Sequence, residues 1–107
     1  MKTVIQKIEE GGDFLVHFYT TWCGTCSMLK PELKKFKDEY CDCVEVEEVN
    51  LDRDPHLIEH FKIKRLPTIM LFKNGEEVWR HDGVAGAEEI KLAYQQHDIC
   101  NKFNPKH

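Results

Sequence analysis

"FLVHFYTTWCGTC" occupies residues 14–26, and its reading decides how the rest of the chain is organised. The first half, taken with Asp13, is a nearly unbroken apolar and aromatic run over 13–19. Such a run fits a strand buried on both faces, with His17 as an ionisable interruption. The second half holds two cysteines, Cys23 and Cys26, separated by two residues and preceded by Trp22. From there the period becomes helical. Over residues 24–40, Met28, Leu29, Leu33, Phe36 and Tyr40 form an apolar stripe against Lys30, Lys34, Lys35, Lys37 and Asp38. Pro31 lies inside that segment and predicts a kink.

Upstream, "TVIQKIEE" at 3–10 places Val4, Ile5 and Ile8 at helical spacing, and Gly11-Gly12 ends that helix. Downstream, "CDC" at 41–43 reads as a turn and "VEVEEVNL" at 44–51 as a second strand. Asp54-Pro55 is a helix start, with Asp54 as N-cap and Pro55 first in the helix. That helix is expected over 55–62, with Leu57, Ile58 and Phe61 inward. "LPTIMLFK" at 66–73 is the third strand, and Asn74-Gly75 signals a two-residue hairpin. "EEVWRHD" at 76–82 returns as an edge strand whose charges suit that position. Gly83 and Gly86 break the chain before a last helix over 87–98, with Ile90, Ala93, Tyr94 and His97 on one stripe. The tail "NKFNPKH" is expected to be loose.

The order α-β-α-β-α-β-β-α predicts an α/β layout. Strands 13–19 and 44–51 are parallel, joined by a crossover helix, and an antiparallel hairpin completes the sheet. The 107 residues suffice for one domain and one core, spanning 1–107 with 98–107 as tail. A net charge of −4, with both signs mixed, argues against a nucleic-acid partner. No stretch approaches the roughly 20 apolar residues a membrane span needs, and the N-terminus lacks the apolar core of a signal peptide. The expected compartment is therefore the reducing cytoplasm. There, among five cysteines, a close pair reads as catalytic or metal-binding before structural.

Zinc wants four ligands, and the chain's other cysteine pair, Cys41-x-Cys43, is a poor second half. His56 and His60 share a helix face, but that helix is amphipathic without them. As a staple, a four-residue loop contributes only about 2 kcal/mol. The redox reading fits the surroundings better. A Cys-x-x-Cys opening a helix sets the first sulfur near unpaired N–H groups, whose partial positive charge favours a thiolate. Cys23 is then the nucleophile. Cys26, one turn in and more buried, is placed to resolve a mixed disulfide.

The whole pattern resembles the thioredoxin family. "FLVHFYTTWCGTC", Pro31, "VNLDRDP", "RLPTIMLFKNGEEV" and the Gly83 turn follow that family's order and spacing from about residue 3 to 97. The resemblance implies the thioredoxin fold and a thiol–disulfide oxidoreductase that reduces protein disulfides. It implies a cis bond between Leu66 and Pro67 beside the cysteines, a proline that helps keep metal out of the pair. It also implies a substrate-contacting rim of Trp22, Gly24, Thr25, Leu66, Pro67, Gly83 and Val84. Disulfide-containing proteins are the expected partners, with an upstream reductase such as a thioredoxin reductase to recycle the pair. No bound cofactor or metal and a monomeric state are expected; the chain has no dinucleotide fingerprint. A disulfide oxidase or isomerase of higher potential, and a non-catalytic adaptor or metal-binding module, remain open alternatives.

The chain departs from the family pattern in several places. Thr25 stands where the family usually has proline, bringing a free N–H and a hydroxyl near the Cys23 sulfur and predicting a less reducing potential. His17 and Glu48 stand where the family has a buried Asp and a Lys. Val44, Val46 and Glu48 share an inward face by period two, so Glu48 is expected to be buried and paired with His17. His17 is then a candidate proton acceptor for Cys26, with Glu48 orienting or stabilising it. Arg65 takes a rim position that is often small or uncharged, with Asp82 opposite. The family's N-terminal edge strand is expected to be missing, which predicts four strands in the order 44–51, 13–19, 67–73, 77–82 and an exposed edge at 44–51. Cys41, Cys43 and Cys100 read as incidental thiols, with a regulatory disulfide or glutathionylation at Cys41 and Cys43 and a dimer link through Cys100 as open alternatives.

Overall fold

The computed structural model describes residues 2–40 and 45–99. The expectations for the turn at 41–43, for Val44, for the thiols Cys41, Cys43 and Cys100 and for the tail beyond 100 lie outside these residues. The elements are α1 (Val4–Glu9), β1 (Phe14–Tyr19), α2 (Leu29–Glu39), β2 (Val46–Asn50), α3 (His56–His60), β3 (Thr68–Lys73), β4 (Glu76–Asp82) and α4 (Ala87–Gln96). The sheet runs β2-β1-β3-β4, as expected. β1 and β2 are parallel, while β1 with β3 and β3 with β4 are antiparallel.

β1 explains its own apolar run. Leu15 points to the same side as Ile69 and Leu71 of β3, into a core closed by Leu29, Leu33 and Phe36 of α2 and Ile90, Ala93 and Tyr94 of α4. Phe14, Val16 and Phe18 point the other way, into a second core with Val4, Leu57, Phe61, Met70 and Phe72. A strand covered by helices on both faces has no place for alternation. The hairpin turn puts Asn74 at φ 53° and Gly75 at φ 79°, the left-handed pair that a two-residue hairpin requires. A Cβ at Gly75 would also run into the Ile8 carbonyl.

The three helices shorter than α2 end the same way. After α1, α3 and α4 the chain turns through left-handed Gly11, Lys62 and Asp98. The next N–H bonds back five residues: Gly12 to Lys7, Ile63 to Ile58 and Ile99 to Tyr94, at 3.4, 2.8 and 3.0 Å. These are Schellman endings, and only the first uses glycine. On the β2 edge, Lys7 of α1 lies between the carboxylates of Glu45 and Glu47. Hydrogen bonds to Glu45 and then Glu47 push Lys7 up to about 12. Glu45 and Glu47 are thus tethered to α1 along that exposed edge.

Several boundaries and faces differ from expectation. A 3₁₀ turn, Cys26–Met28, precedes α2, which begins only at Leu29. Pro31 supplies the reason. It has no N–H for the Ser27 carbonyl and its ring crowds that carbonyl, so the chain tightens there. Met28, expected on the apolar stripe, falls on this turn and is 57% exposed. α3 begins at His56, with Pro55 rather than Asp54 as N-cap; the Asp54 carbonyl accepts from the Leu57 N–H at 3.0 Å. Ile58, expected inward, is 39% exposed. β3 starts at Thr68, just past a cis Leu66–Pro67 bond. α4 ends at Gln96, and His97 is its C-cap rather than part of its buried stripe.

Candidate active site

At the end of β1 the chain curls inward. The Cys23 N–H donates to the Thr20 carbonyl at 3.4 Å, the Cys26 N–H to the Cys23 carbonyl at 3.3 Å and the Met28 N–H to the Thr25 carbonyl at 3.0 Å. This tight turn gives the two cysteines unequal settings. They are joined as a disulfide across a Cα spacing of 5.4 Å. Cys23 is half-buried at the surface and Cys26 is buried. The Thr25 hydroxyl lies 3.6 Å from the Cys23 sulfur.

Trp22 is 76% exposed, yet it is held. Its Nε1 donates to Asp52 at 3.1 Å. Asp52 also accepts from the Thr21 N–H at 2.9 Å and the Thr21 hydroxyl at 2.6 Å. These bonds, the Thr21 hydroxyl first, hold the Asp52 carboxyl below its ordinary range. Asp52 was visible in "VNLDRDP" but carried no assigned role, because its partners come from a loop 30 residues earlier.

Across from Cys23 stands the segment before β3. The Thr68 hydroxyl donates to the Arg65 carbonyl, and the buried Pro67 accepts the Gly83 N–H at 2.7 Å. Gly83 sits at φ 89°, a conformation that favours glycine. Between the two segments runs an open groove of about 460 Å³. Trp22, Cys23 and Gly24 form one wall; Ile58, Ile63, Lys64, Arg65 and Leu66 form the other, and Thr20 and Leu51 complete its lining. Of the expected rim, Trp22, Gly24 and Leu66 therefore meet at Cys23. Thr25, Pro67, Gly83 and Val84 do not line this groove; Pro67 and Gly83 are tied to each other, and half-buried Val84 packs on the α2/α4 core. Ile58, expected inward on α3, and Lys64, which no motif singles out, also line it. Arg65 and Asp82 form no ion pair; an Asp82 oxygen lies instead 3.4 Å from the Thr68 hydroxyl.

His17 is buried, and neither imidazole nitrogen has a hydrogen-bond partner among the described residues. Burial pushes the imidazole below its ordinary value; the Glu48 carboxylate pulls upward and Lys30 pushes further down. Glu48 does pair with His17 across the parallel β1/β2 register. Its expected burial is corrected, however: the side chain is 42% exposed and its oxygen lies 4.0 Å from His17 Nδ1, beyond hydrogen-bond reach. β2 is an edge strand, and Glu48 opens onto a shallow depression shared with Lys34, Lys37 and Asp38 of α2, where solvent reaches the carboxylate. Among the described residues no group of three or more His, Cys, Asp or Glu side chains is arranged to hold a metal ion.

The family model described as Thioredoxin matches residues 2–96. The chain is 35% identical over 86 residues to a thioredoxin of Alicyclobacillus acidocaldarius, covering 80% of this chain and 82% of that one. It is 43% identical over 72 residues to a thioredoxin of Rickettsia felis, covering 67% and 69% respectively. Among solved structures it is similar to thioredoxin-2 of the malaria parasite, with a TM-score of 0.72, 28% identity and coverage of 81% of this chain and 84% of that one. A half-buried and a buried cysteine joined at the mouth of a groove, on this fold and with these relatives, have one meaning: the chain belongs to the thioredoxin family and is a thiol–disulfide oxidoreductase.

Proposed function

We propose that the protein works as a reductant of protein disulfides, with Cys23 as nucleophile and Cys26 as resolving thiol. The reading rests on one observation, the unequal setting of the two sulfurs: Cys23 opens on the groove and Cys26 lies behind it. In the reduced protein the Cys23 thiolate attacks one sulfur of a substrate disulfide. A Cys23–substrate bond forms as the substrate bond breaks, and the released sulfur leaves as a thiolate that takes up a proton. Cys26 then gives up its proton and attacks the Cys23 sulfur. The Cys23–Cys26 bond forms, the mixed disulfide breaks, and the second substrate thiolate is protonated. Two electrons and two protons have passed to the substrate.

His17 is the proposed acceptor of the Cys26 proton. Burial holds the imidazole neutral, which leaves a nitrogen lone pair available, and the Glu48 carboxylate stabilises the imidazolium through space. Trp22, Gly24, Thr25, Leu66, Pro67, Gly83 and Val84 are the proposed substrate contacts. Recycling falls to a separate reductase, such as a thioredoxin reductase, in the cytoplasm, with the chain acting as a monomer and without a bound cofactor. In the test, Cys26→Ser accumulates a covalent complex with a disulfide protein and Cys23→Ser accumulates none. Native turnover by Cys26→Ser would remove the two-thiol scheme. The Thr25 hydroxyl favours a second reading, an isomerase or oxidant, because a donor beside Cys23 stabilises the reduced form. A potential near about −270 mV supports the reductant, and one near about −180 mV the alternative.

A further inference from the structure

We propose that Lys64 and Arg65 make the groove beside Cys23 selective for a disulfide cysteine carried in an apolar segment with acidic flanks. This inference rests on the reductant reading and adds a substrate class to it. The groove combines apolar walls, Trp22 and Ile58 among them, with two consecutive cations. No Asp or Glu lines it, so its charge has a single sign. Two other depressions carry both signs. The depression along β2 mixes Lys2 and Arg53 with Glu47, Glu48 and Asp54, and the one beside α2 mixes Lys34 and Lys37 with Asp38 and Glu48.

Neither Lys64 nor Arg65 has an ion-pair partner among the described residues, and both side chains are exposed. The nearby carboxylate of Asp52 is committed to Thr21 and Trp22. A chain whose net charge is −4 has thus gathered two positive charges without ion-pair partners where the substrate must approach. Opposite charge on the incoming segment raises the encounter rate and fixes its direction, whereas a lysine-flanked segment meets like charge. The apolar part of the segment covers Ile58 and Leu66, which are partly exposed in the free protein.

The test uses two disulfide-cyclised peptides that differ only in carrying glutamates or lysines beside the cysteines. The native protein is expected to favour the glutamate peptide by about tenfold in kcat/KM at low salt. That ratio should fall toward one as salt rises to about 0.5 M, where charges are screened within a few ångströms. Lys64→Ala with Arg65→Ala should bring the low-salt ratio near one, and Arg65→Glu with Lys64→Ala should invert it. A native ratio near one, or a ratio the double variant leaves unchanged, overturns the inference. Neutral hydroxyethyl disulfide, assayed alongside, separates the two levels. If the native protein reduces it while the peptide ratio is one, only the selectivity falls. If it reduces neither the peptides nor hydroxyethyl disulfide, the reductant reading falls and the selectivity with it.

Discussion

Replacing Thr25 by valine keeps the shape of the side chain and removes a single hydroxyl, which lies 3.6 Å from the Cys23 sulfur. In the disulfide form that sulfur is a weak acceptor. After reduction it becomes a thiolate, and a hydrogen bond to a charged acceptor contributes about 1.5–3 kcal/mol when well made. This contact is long and lies at an exposed residue, so about 1 kcal/mol is a fair measure of its preference for the reduced state. For a two-electron couple about 1.4 kcal/mol corresponds to 30 mV, so Thr25→Val should lower the potential by about 20 mV. Thr25→Pro also deletes the backbone N–H and should move it further in the same direction. The assay is equilibration against a dithiol buffer, with alkylation and mass analysis of the Cys23–Cys26 pair in a background lacking the other three cysteines. If Thr25→Val leaves the potential unchanged while Thr25→Pro shifts it, the hydroxyl has no part and the N–H carries the effect. If neither shifts it, the reasoning from donors at this sulfur is wrong.

His17→Ala should slow release of the mixed disulfide by about 10²-fold, the low end for a positioned proton acceptor, and spare the attack by Cys23; rapid-mixing traces in which both phases keep their rates would refute the role. The same residue sets a pH dependence of stability. Burial lowers the His17 value in the folded chain, against 6.5 when unfolded, with the Glu48 and Lys30 charges facing the ring. Below 6.5 the unfolded chain therefore holds a proton that the folded chain does not, and stability falls as the pH drops; above 6.5 the contribution is complete. Denaturant titrations of His17→Leu should lack that acid-side slope, and an identical slope would exclude His17 as its source. Lys62→Gly, at a left-handed helix ending, should raise stability by about 0.5–1 kcal/mol in the same assay, and a loss of stability would show that the Lys62 side chain matters more than its backbone strain.

The strands and their order were legible because their residues are committed on both faces: β1 reads as buried since α2 and α4 cover one side and α1 and α3 the other. Cys23, Cys26 and Trp22 were legible because they are neighbours in sequence. What was not legible depends on distance or depth. Periodicity says which side of α3 Ile58 takes but not that the core ends before reaching it, leaving its side chain on the groove. Alternation along β2 puts Glu48 beside His17 correctly, yet says nothing of how open an edge strand is at that point. Met28 left its predicted stripe because Pro31 changes the winding of the turn before it, an effect three residues upstream of its cause. Asp52 acquires its partners only when the chain folds back on Trp22.

The 5.4 Å separation of the Cys23 and Cys26 Cα atoms has a consequence for time as well as for chemistry. Two groups held by one short turn meet at an effective molarity that, when well oriented, reaches about 10⁵ M or more. No thiol dissolved in the surroundings competes with that. On the proposed chemistry, each covalent encounter with a partner ends by an internal clock, and its lifetime does not lengthen when the pool of free thiols is depleted. Stress that oxidises the surroundings would starve the protein of electrons without leaving it chained to its substrates.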